Sequence, residues 1–448
     1  MNSYILPLLL TGVGGYFLIK LRFFFVLHPI RTAGRGFRAI KDGRALRSFT
    51  LALAGTLGVG NVFGVALGLL IGGAGSLFWL FVSMIFAMVI KYAEVLITGD
   101  NLCHDTDTHG GFFYVIRWSF SRFGSMLSLL YAFTTLALSL VMGAALQTVA
   151  VSESIDEIVD IPHSTLAIAL TLIALISIMG GIAKIENITA VMVPLTTIIY
   201  IFITTSVIIF KINSLGAAIQ DVVSSAFSYR SAAGGGVGFL LAAPVREGFA
   251  RGILSNEAGA GTSSMAHARS GVISPSSAGI LGILEVWFDT GVICMLTGFS
   301  ILLSVPDLSS FSGGMELIMF SVGSLFGSIG KYAVLFCVFS FALATIICWY
   351  YYGSESWGHL FGRHQRWLFL PLFVFFVFMG CFVDSLMLIY VTDVLIALAT
   401  VLTLSALIKN SDRLVALSES GGVIDSDICR IRRLRIKGSV FSRGRERR

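Results

Sequence analysis

Residues 55–64 read GTLGVGNVFG, inside the longer apolar run LALAGTLGVGNVFGVALGLL at 51–70. The flanks have the composition of a membrane span, yet the centre holds four glycines and Asn61. Glycine weakens a helix by about 1 kcal/mol relative to alanine, and an amide is costly in hydrocarbon. How this stretch is read decides the fold.

The setting is a membrane. The chain has 448 residues, 56% of them hydrophobic and 12% charged, with a mean hydropathy of +0.88. Soluble domains carry about 25% charged residues. Runs of about 20 apolar residues, enough to cross a bilayer, recur along the chain. The six cysteines (Cys103, Cys294, Cys337, Cys348, Cys381, Cys429) form no C-x-x-C pair, which suggests neither a metal site nor a disulfide framework.

The first run, about 4–19, has no basic residue before it and Lys20 and Arg22 after it. A cleaved signal peptide has the opposite charge order, so this run reads as a retained helix with its N-terminus outside. Further spans fall near 48–70, 76–97, 124–150, 164–182, 188–210, 232–250, 276–304, 330–352, 367–383 and 386–408, about eleven in all. Threading them places Arg117 and Arg122, Lys184, Arg246 with Arg251 and Arg269, and Arg363 with Arg366 inside, as the positive-inside rule requires. The acidic segment with Glu153, Asp156, Glu157 and Asp160 then falls outside. Only Lys211 and Arg230 run against this orientation. The basic tail ICRIRRLRIKGSVFSRGRERR lands in the cytoplasm, where it reads as a topogenic run that attracts anionic lipid. No folded module accompanies it, so nucleic acid is not an expected partner.

Gly60, Gly64, Gly68 and Gly72 recur every four residues on one helix face, a spacing that lets backbones approach closely in a membrane. Gly55, Gly58 and Asn61 fall on other faces. A dinucleotide fingerprint is excluded by the spacing and by the lack of a preceding strand. Counted from Ser48, Gly60 and Asn61 lie about 18 Å into the span, near the middle of a core about 30 Å thick. Unwound backbone survives there only where protein or a cavity satisfies it, the design of many secondary transporters. That design predicts a second interrupted span in the other half. The stretch SAAGGGVGFLLAAPVREG supplies one, with Gly234, Gly235, Gly236, Gly238 and Pro244. With the first span as an extra, ten spans split into five and five, and the two broken spans open each half in opposite directions. The expected organisation is all-α: 1–47 an N-terminal span and basic segment, 48–408 the core (48–210 and 232–408), and 409–448 a basic tail. Candidate substrate-binding residues are Gly58, Val59, Gly60 and Asn61 at the first break and Gly235 and Gly236 at the second.

These residues lie in stretches that resemble the alanine or glycine:cation symporters, bacterial and archaeal carriers. The resemblance rests on LAGTLGVGNVFGVALGLLIGGAGSLFW, MVIKYAEVL, GGIAKIENITAVMVP, REGFARGILSNEAGAGTSSMAHA, FDTGVICMLTG and FALATIICWYYYGSE. It implies a leucine-transporter-type 5+5 inverted repeat, sodium-coupled import of small neutral amino acids across a bacterial plasma (inner) membrane, and no enzymatic activity. It further implies that the substrate's amino and carboxyl groups sit at Gly60 and Asn61, with Gln147 and Trp349 facing the substrate. A sodium site is implied between the first and eighth core helices, using carbonyls from Ala54 to Leu57 and the hydroxyl of Thr345. This chain has Val59-Gly60-Asn61 where the family usually has T-G-N or S-G-N, and Ala344-Thr345 where it usually has Ser-Thr. One hydroxyl is therefore absent beside the substrate and one beside the cation, so proton coupling stands as the alternative to sodium.

Intramembrane charges are functional candidates by default. Asp289 in VWFDTGV falls near the midplane, with cation (sodium) coordination or protonation weighed against a buried hydrogen-bonding role. Glu285 reads as structural, and Asp393 lies in the outer part of the last span. Lys91 and Glu94, three apart near a cytoplasmic end, read as a snorkelling, mutually paired couple. Asn256 and Glu257 of SNEAG, on the cytoplasmic side after the broken helix, read as a capping and gating element rather than substrate ligands, with Asn256 or Ser255 as helix cap. A membrane enzyme is disfavoured because the seven histidines fall in loops or at span ends with no nucleophile–base pair. His104 and His109 in CHDTDTHGG read as a polar loop rather than a metal cluster. A channel or a transport-like sensor is the remaining rival class, and the oligomeric state is not legible.

Overall fold

The apolar runs fold as helices throughout, and no strand occurs among the described residues of this computed structural model, which are 5–104, 110–227, 243–270 and 274–420. The principal elements are α1 (Leu6–Lys20), α2 (Gly43–Thr56), α3 (Phe63–Gly72), α4 (Gly75–His104), α5 (Gly124–Asp156), α6 (His163–Ile178), α7 (Gly181–Phe210), α8 (Ala243–Asn256), α9 (Pro275–Ser304), α10 (Gly314–Phe361), α11 (His364–Phe382) and α12 (Ser385–Lys409). Seven of these are long and apolar enough to cross a bilayer, and the α2–α3 pair adds an eighth as one bent span. The expected spans at 4–19 and 164–182 are the shorter α1 and α6. The expected span at 330–352 is the second arm of α10, whose two helices meet at a kink at Gly327, where the backbone leaves the helical region (φ 60°, ψ −145°). Gly234, Gly235, Gly236 and Gly238 lie outside the described residues.

The stretch at 55–64 is broken. Helices α2 and α3 meet at 58°. Leu57 leaves the helical region (ψ 76°), Gly58 is extended, and Val59–Asn61 form one 3-10 turn before α3 begins. The interruption thus starts one turn earlier than Gly60. It is closed locally, because the Asn61 Oδ1 accepts from the Gly58 N–H at 3.1 Å.

The glycine ladder has the packing role expected of it. A Cβ at Gly60, Gly64, Gly68 or Gly72 would lie 3.1 Å from the Leu254 carbonyl, 3.3 Å from the Leu254 side chain, 2.9 Å from Arg251 and 3.0 Å from Glu247. One face of α3 therefore lies directly on α8, the described part of the segment expected to carry the second interruption.

That contact corrects the charge map. Ser255, near the end of α8, reaches Asn61 at the break, whereas Arg251 and Glu247 lie beside Gly68 and Gly72. Arg246 and Arg251 are therefore on the α3 side of the break, not with Arg269, whose segment packs on α2. The expectation failed because a charge was taken to end the span. Arg251 is tolerated inside because Asp393 accepts from its Nη2 at 2.8 Å, with Glu247 3.5 Å from its Nε. Asp393 is accounted for by the same pair.

The bundle turns apolar side chains outward and polar ones inward, the polarity of a protein in lipid. On α7, Val191, Ile198, Phe202 and Phe210 are all exposed, whereas Lys91, Glu94, Glu257, Glu285 and Asp289 are buried. Lys91 neither snorkels nor pairs with Glu94. Its Nζ lies 3.2 Å from Glu285 and donates to Ser263 at 2.7 Å, while the Glu94 Oε1 accepts from the Gly259 N–H at 2.7 Å. His267, expected at a span end, is likewise buried, 2.9 Å from the other Glu285 oxygen. Helix i, i+3 spacing made the Lys91–Glu94 pairing look sufficient. The long-range partner wins because it supplies a complementary charge without exposing the ammonium.

Candidate functional site

The break brings carbonyl groups at the end of α2 into the middle of the bundle, and α10 meets them. The Thr345 Oγ1 donates to the Ala54 carbonyl at 3.0 Å and lies 3.4 Å from that of Leu57. The Cys348 Sγ donates to the Leu51 carbonyl at 3.2 Å, and the Trp349 Nε1 lies 3.3 Å from that of Gly55. The end of α2 thus presents a row of carbonyl oxygens along one face of α10, and Thr345 adds a hydroxyl at its upper end. Hard oxygen donors of this kind suit a small alkali cation. A Cβ at Gly58 would fall 2.8 Å from Thr345 Oγ1 and 3.0 Å from Gln147 Oε1, so this glycine keeps the space between them open.

Gln147 and Trp349 belong to the same cluster. The Gln147 Oε1 accepts from the Val59 N–H at 3.2 Å, and its Nε2 donates to the Met142 carbonyl at 3.1 Å. Residues Val141–Ala145 of α5 form a π-helical turn, a distortion frequent at functional sites. Trp349 packs against that turn: a Cβ at Gly143 would sit 2.2 Å from the Trp349 Cβ. Thus Ala54, Leu57, Gly58, Val59, Gln147, Thr345 and Trp349 come together as expected, from stretches almost 300 residues apart.

Asn61 and Asp289 form a second cluster, and here the structure sharpens the reading. The Asn61 Nδ2 donates to Asp289 Oδ1 at 2.6 Å and to Ser255 Oγ at 2.8 Å. Asp289 Oδ2 accepts from Ser255 at 2.5 Å and from Thr290 at 2.9 Å. Asn61 is fully buried and spends its whole amide on protein, which fixes the break rather than leaving a group free at it. Asp289 lies on a π-helical stretch, Trp287–Cys294, where Asn61, Ser255 and Thr290 all donate to its carboxylate. Gly60 packs on the α8 backbone. Ser255 was not singled out as part of a site; the only sequence signal was its place in SNEAG. Neither it nor Asn256 caps a helix start. The Asn256 Oδ1 accepts from the Ala258 N–H at 2.9 Å, closing a turn after α8.

Gly235 and Gly236 lie outside the described residues, as do His109 and the His104 side chain. Among the described residues, no three His, Cys, Asp or Glu side chains gather as a metal site.

Thr345→Val keeps the shape of the side chain and deletes the hydroxyl. On the sodium-coupled reading proposed below, the sodium concentration that half-activates uptake is expected to rise by about tenfold in this variant, the loss of one polar contact of about 1.4 kcal/mol, and Thr345→Ser is expected to restore it. Equal sodium curves for all three would remove Thr345 from the cation site.

The sequence as a whole is similar to known carriers. A transporter of Bacillus subtilis named YflA, of uncharacterized function, is 31% identical over 80% of this chain and 78% of its own. The sodium/alanine symporter AgcS of Methanococcus maripaludis is 27% identical over 85% and 86%. The amino-acid carrier protein AlsT of B. subtilis is 28% identical over 78% and 74%. The profile of the sodium:alanine symporter family matches residues 1–419. With that match spanning the break, α8 and α10 together, the chain belongs to the sodium:alanine symporter family, whose members are membrane transporters and not enzymes.

Proposed function

We propose that the chain is a secondary active symporter that imports small neutral amino acids, alanine or glycine first, with sodium, by alternating access. The single observation that carries this reading is the convergence of Thr345, the Ala54 and Leu57 carbonyls, Gly58 and Gln147 at a mid-bundle helix break. Backbone freed at such a break supplies oxygens for the cation and amides for a carboxylate. The substrate lies beside Gly58, Val59 and Gln147, and Trp349 closes the site below. The names of AgcS and the family point to the same cargo. We further read 48–210 and 232–408 as the two halves of a 5+5 leucine-transporter-type inverted repeat, 1–47 as an added span with its basic segment, and 409–448 as a basic tail. The N-terminus lies outside and the tail in the cytoplasm of a bacterial plasma membrane. Lys20, at the inner end of α1, pairs with Asp412 of the tail at 2.8 Å, which agrees with that orientation.

Proton coupling is the second reading. Its support is Ala344, which lacks a hydroxyl, and Asp289, whose carboxylate meets only neutral donors. Uptake of labelled alanine and glycine into proteoliposomes, under separate sodium and proton gradients, decides between them. Sodium-driven uptake is expected. Uptake with neither gradient, or binding without any uptake, sinks the symporter reading in favour of a channel or a sensor.

A further inference from the structure

Beneath the break, α8 ends in an elbow at residues 257–262, in which Glu257, Gly259 and Gly261 take left-handed conformations (φ 54°, 93° and 74°). The elbow docks on α4, α5, α9 and α12 through polar groups, and it gathers three buried carboxylates: Glu94, Glu257 and Glu285. Their compensation is unequal. Glu285 faces Lys91 and His267 and accepts from Ser263 at 2.7 Å. Glu257 accepts from Thr262 at 2.6 Å and from the Trp349 Nε1 at 3.2 Å, one donor for each oxygen. Among the described residues, Glu94 accepts the Gly259 N–H on Oε1, with the Gly261 backbone also beside it, and its buried Oε2 has no hydrogen-bond partner.

Around Glu94 lie Lys91 on its own helix, Glu285 on α9, Tyr131 on α5 and the Gly259 and Gly261 backbone of the elbow, while Glu257 shares Lys91 and Tyr131 with it and His267 faces Glu285. Helix α12 contributes Thr400, against Gly259, and Thr403. Lys91 is committed to Glu285. Even with His267 charged, the described residues set three carboxylates against two cations. A surplus buried anion is costly, and a buried group in that position neutralises instead. Glu94 is the carboxylate with least to lose by doing so.

We propose that Glu94 holds a proton while the elbow is docked on it, and that undocking the elbow releases that proton to water. The proton leaves from the carboxyl oxygen, the carboxylate becomes hydrated, and the Gly259 N–H bond breaks in the same movement. The consequence for transport rests on the symporter reading: a proton is taken up each time the elbow closes. Acid on the elbow side therefore favours the closed form, by up to about tenfold per pH unit for one linked proton.

Two measurements test this on the full-length protein. The purified protein in sodium-free detergent is expected to show, at neutral pH, an infrared band of a protonated carboxyl that shifts in D2O. Glu94→Gln, which keeps an oxygen for the Gly259 N–H, is expected to lose that band, and Glu257→Gln to retain it. A wild-type spectrum without the band, or one unchanged in Glu94→Gln, overturns the proposal. A band that disappears on adding sodium assigns a cation to Glu94 and also overturns it. In proteoliposomes, sodium-driven uptake is expected to slow as the pH on the elbow side falls, and Glu94→Gln to flatten that profile. An unflattened profile counts against the proposal. The infrared result stands even if no uptake occurs, so failure of the symporter reading is distinguishable.

Discussion

Gly58→Ala is expected to lower sodium-driven uptake by about 100-fold, with the protein still folded but melting at a lower temperature. Gly58 is extended (φ −123°, ψ −159°), a conformation alanine adopts without strain, so the backbone can remain as it is. The effect comes from space. The new methyl would lie 2.8 Å from the Thr345 hydroxyl and 3.0 Å from the Gln147 amide oxygen. Both side chains must turn away. Thr345 then loses the Ala54 and Leu57 carbonyls, and Gln147 loses the Val59 N–H. Two polar contacts of about 1–1.5 kcal/mol each amount to a factor of about 100. Uptake assays at several sodium concentrations, with thermal unfolding of the same preparations, check this. Wild-type uptake in Gly58→Ala would mean that neither cation nor substrate occupies the gap.

Lys91→Met is expected to destabilise the folded protein by about 3–5 kcal/mol, the cost of leaving one member of a buried ion pair behind. Lys91 is completely buried, with its ammonium 3.2 Å from Glu285 and 2.7 Å from Ser263. The methionine fills the same volume, so no cavity contributes. Lys91→Met combined with Glu285→Leu is expected to recover most of the loss, because the orphaned carboxylate goes with its partner. Melting curves of the three proteins in one detergent read this directly. A single variant as stable as the wild type would show that the pair carries no net charge in the fold.

The broken helix was legible in the sequence because its signal is local. Four glycines and an asparagine in mid-span conflict with both helix propensity and the hydrocarbon, and only an interruption satisfies both. The glycine ladder was legible for a similar reason: a period of four on one face needs a close neighbour, although which helix it is stays hidden. Lys91 shows the limit of such reasoning. Its sequence neighbour Glu94 offered a partner one turn away, while Glu285 lies almost 200 residues on. Charge positions in the second half misled for a related reason, since Arg251 is buried against Asp393 rather than facing water.

The residues alone determined that this is a polytopic helical membrane protein, that its first core span is interrupted near mid-depth, and that carbonyls there lack helical partners. Those conclusions follow from composition, span length and backbone chemistry, which act within about 20 residues. Only the tertiary structure decided what the break faces. It turned Thr345 onto the Ala54 and Leu57 carbonyls, gave the Asn61 amide to Asp289 and Ser255, and left one oxygen of Glu94 without a donor. Each of these depends on which side chains distant segments bring together. In a bundle where every helix is apolar, the sequence pattern says that helices pack but not which polar groups meet when they do.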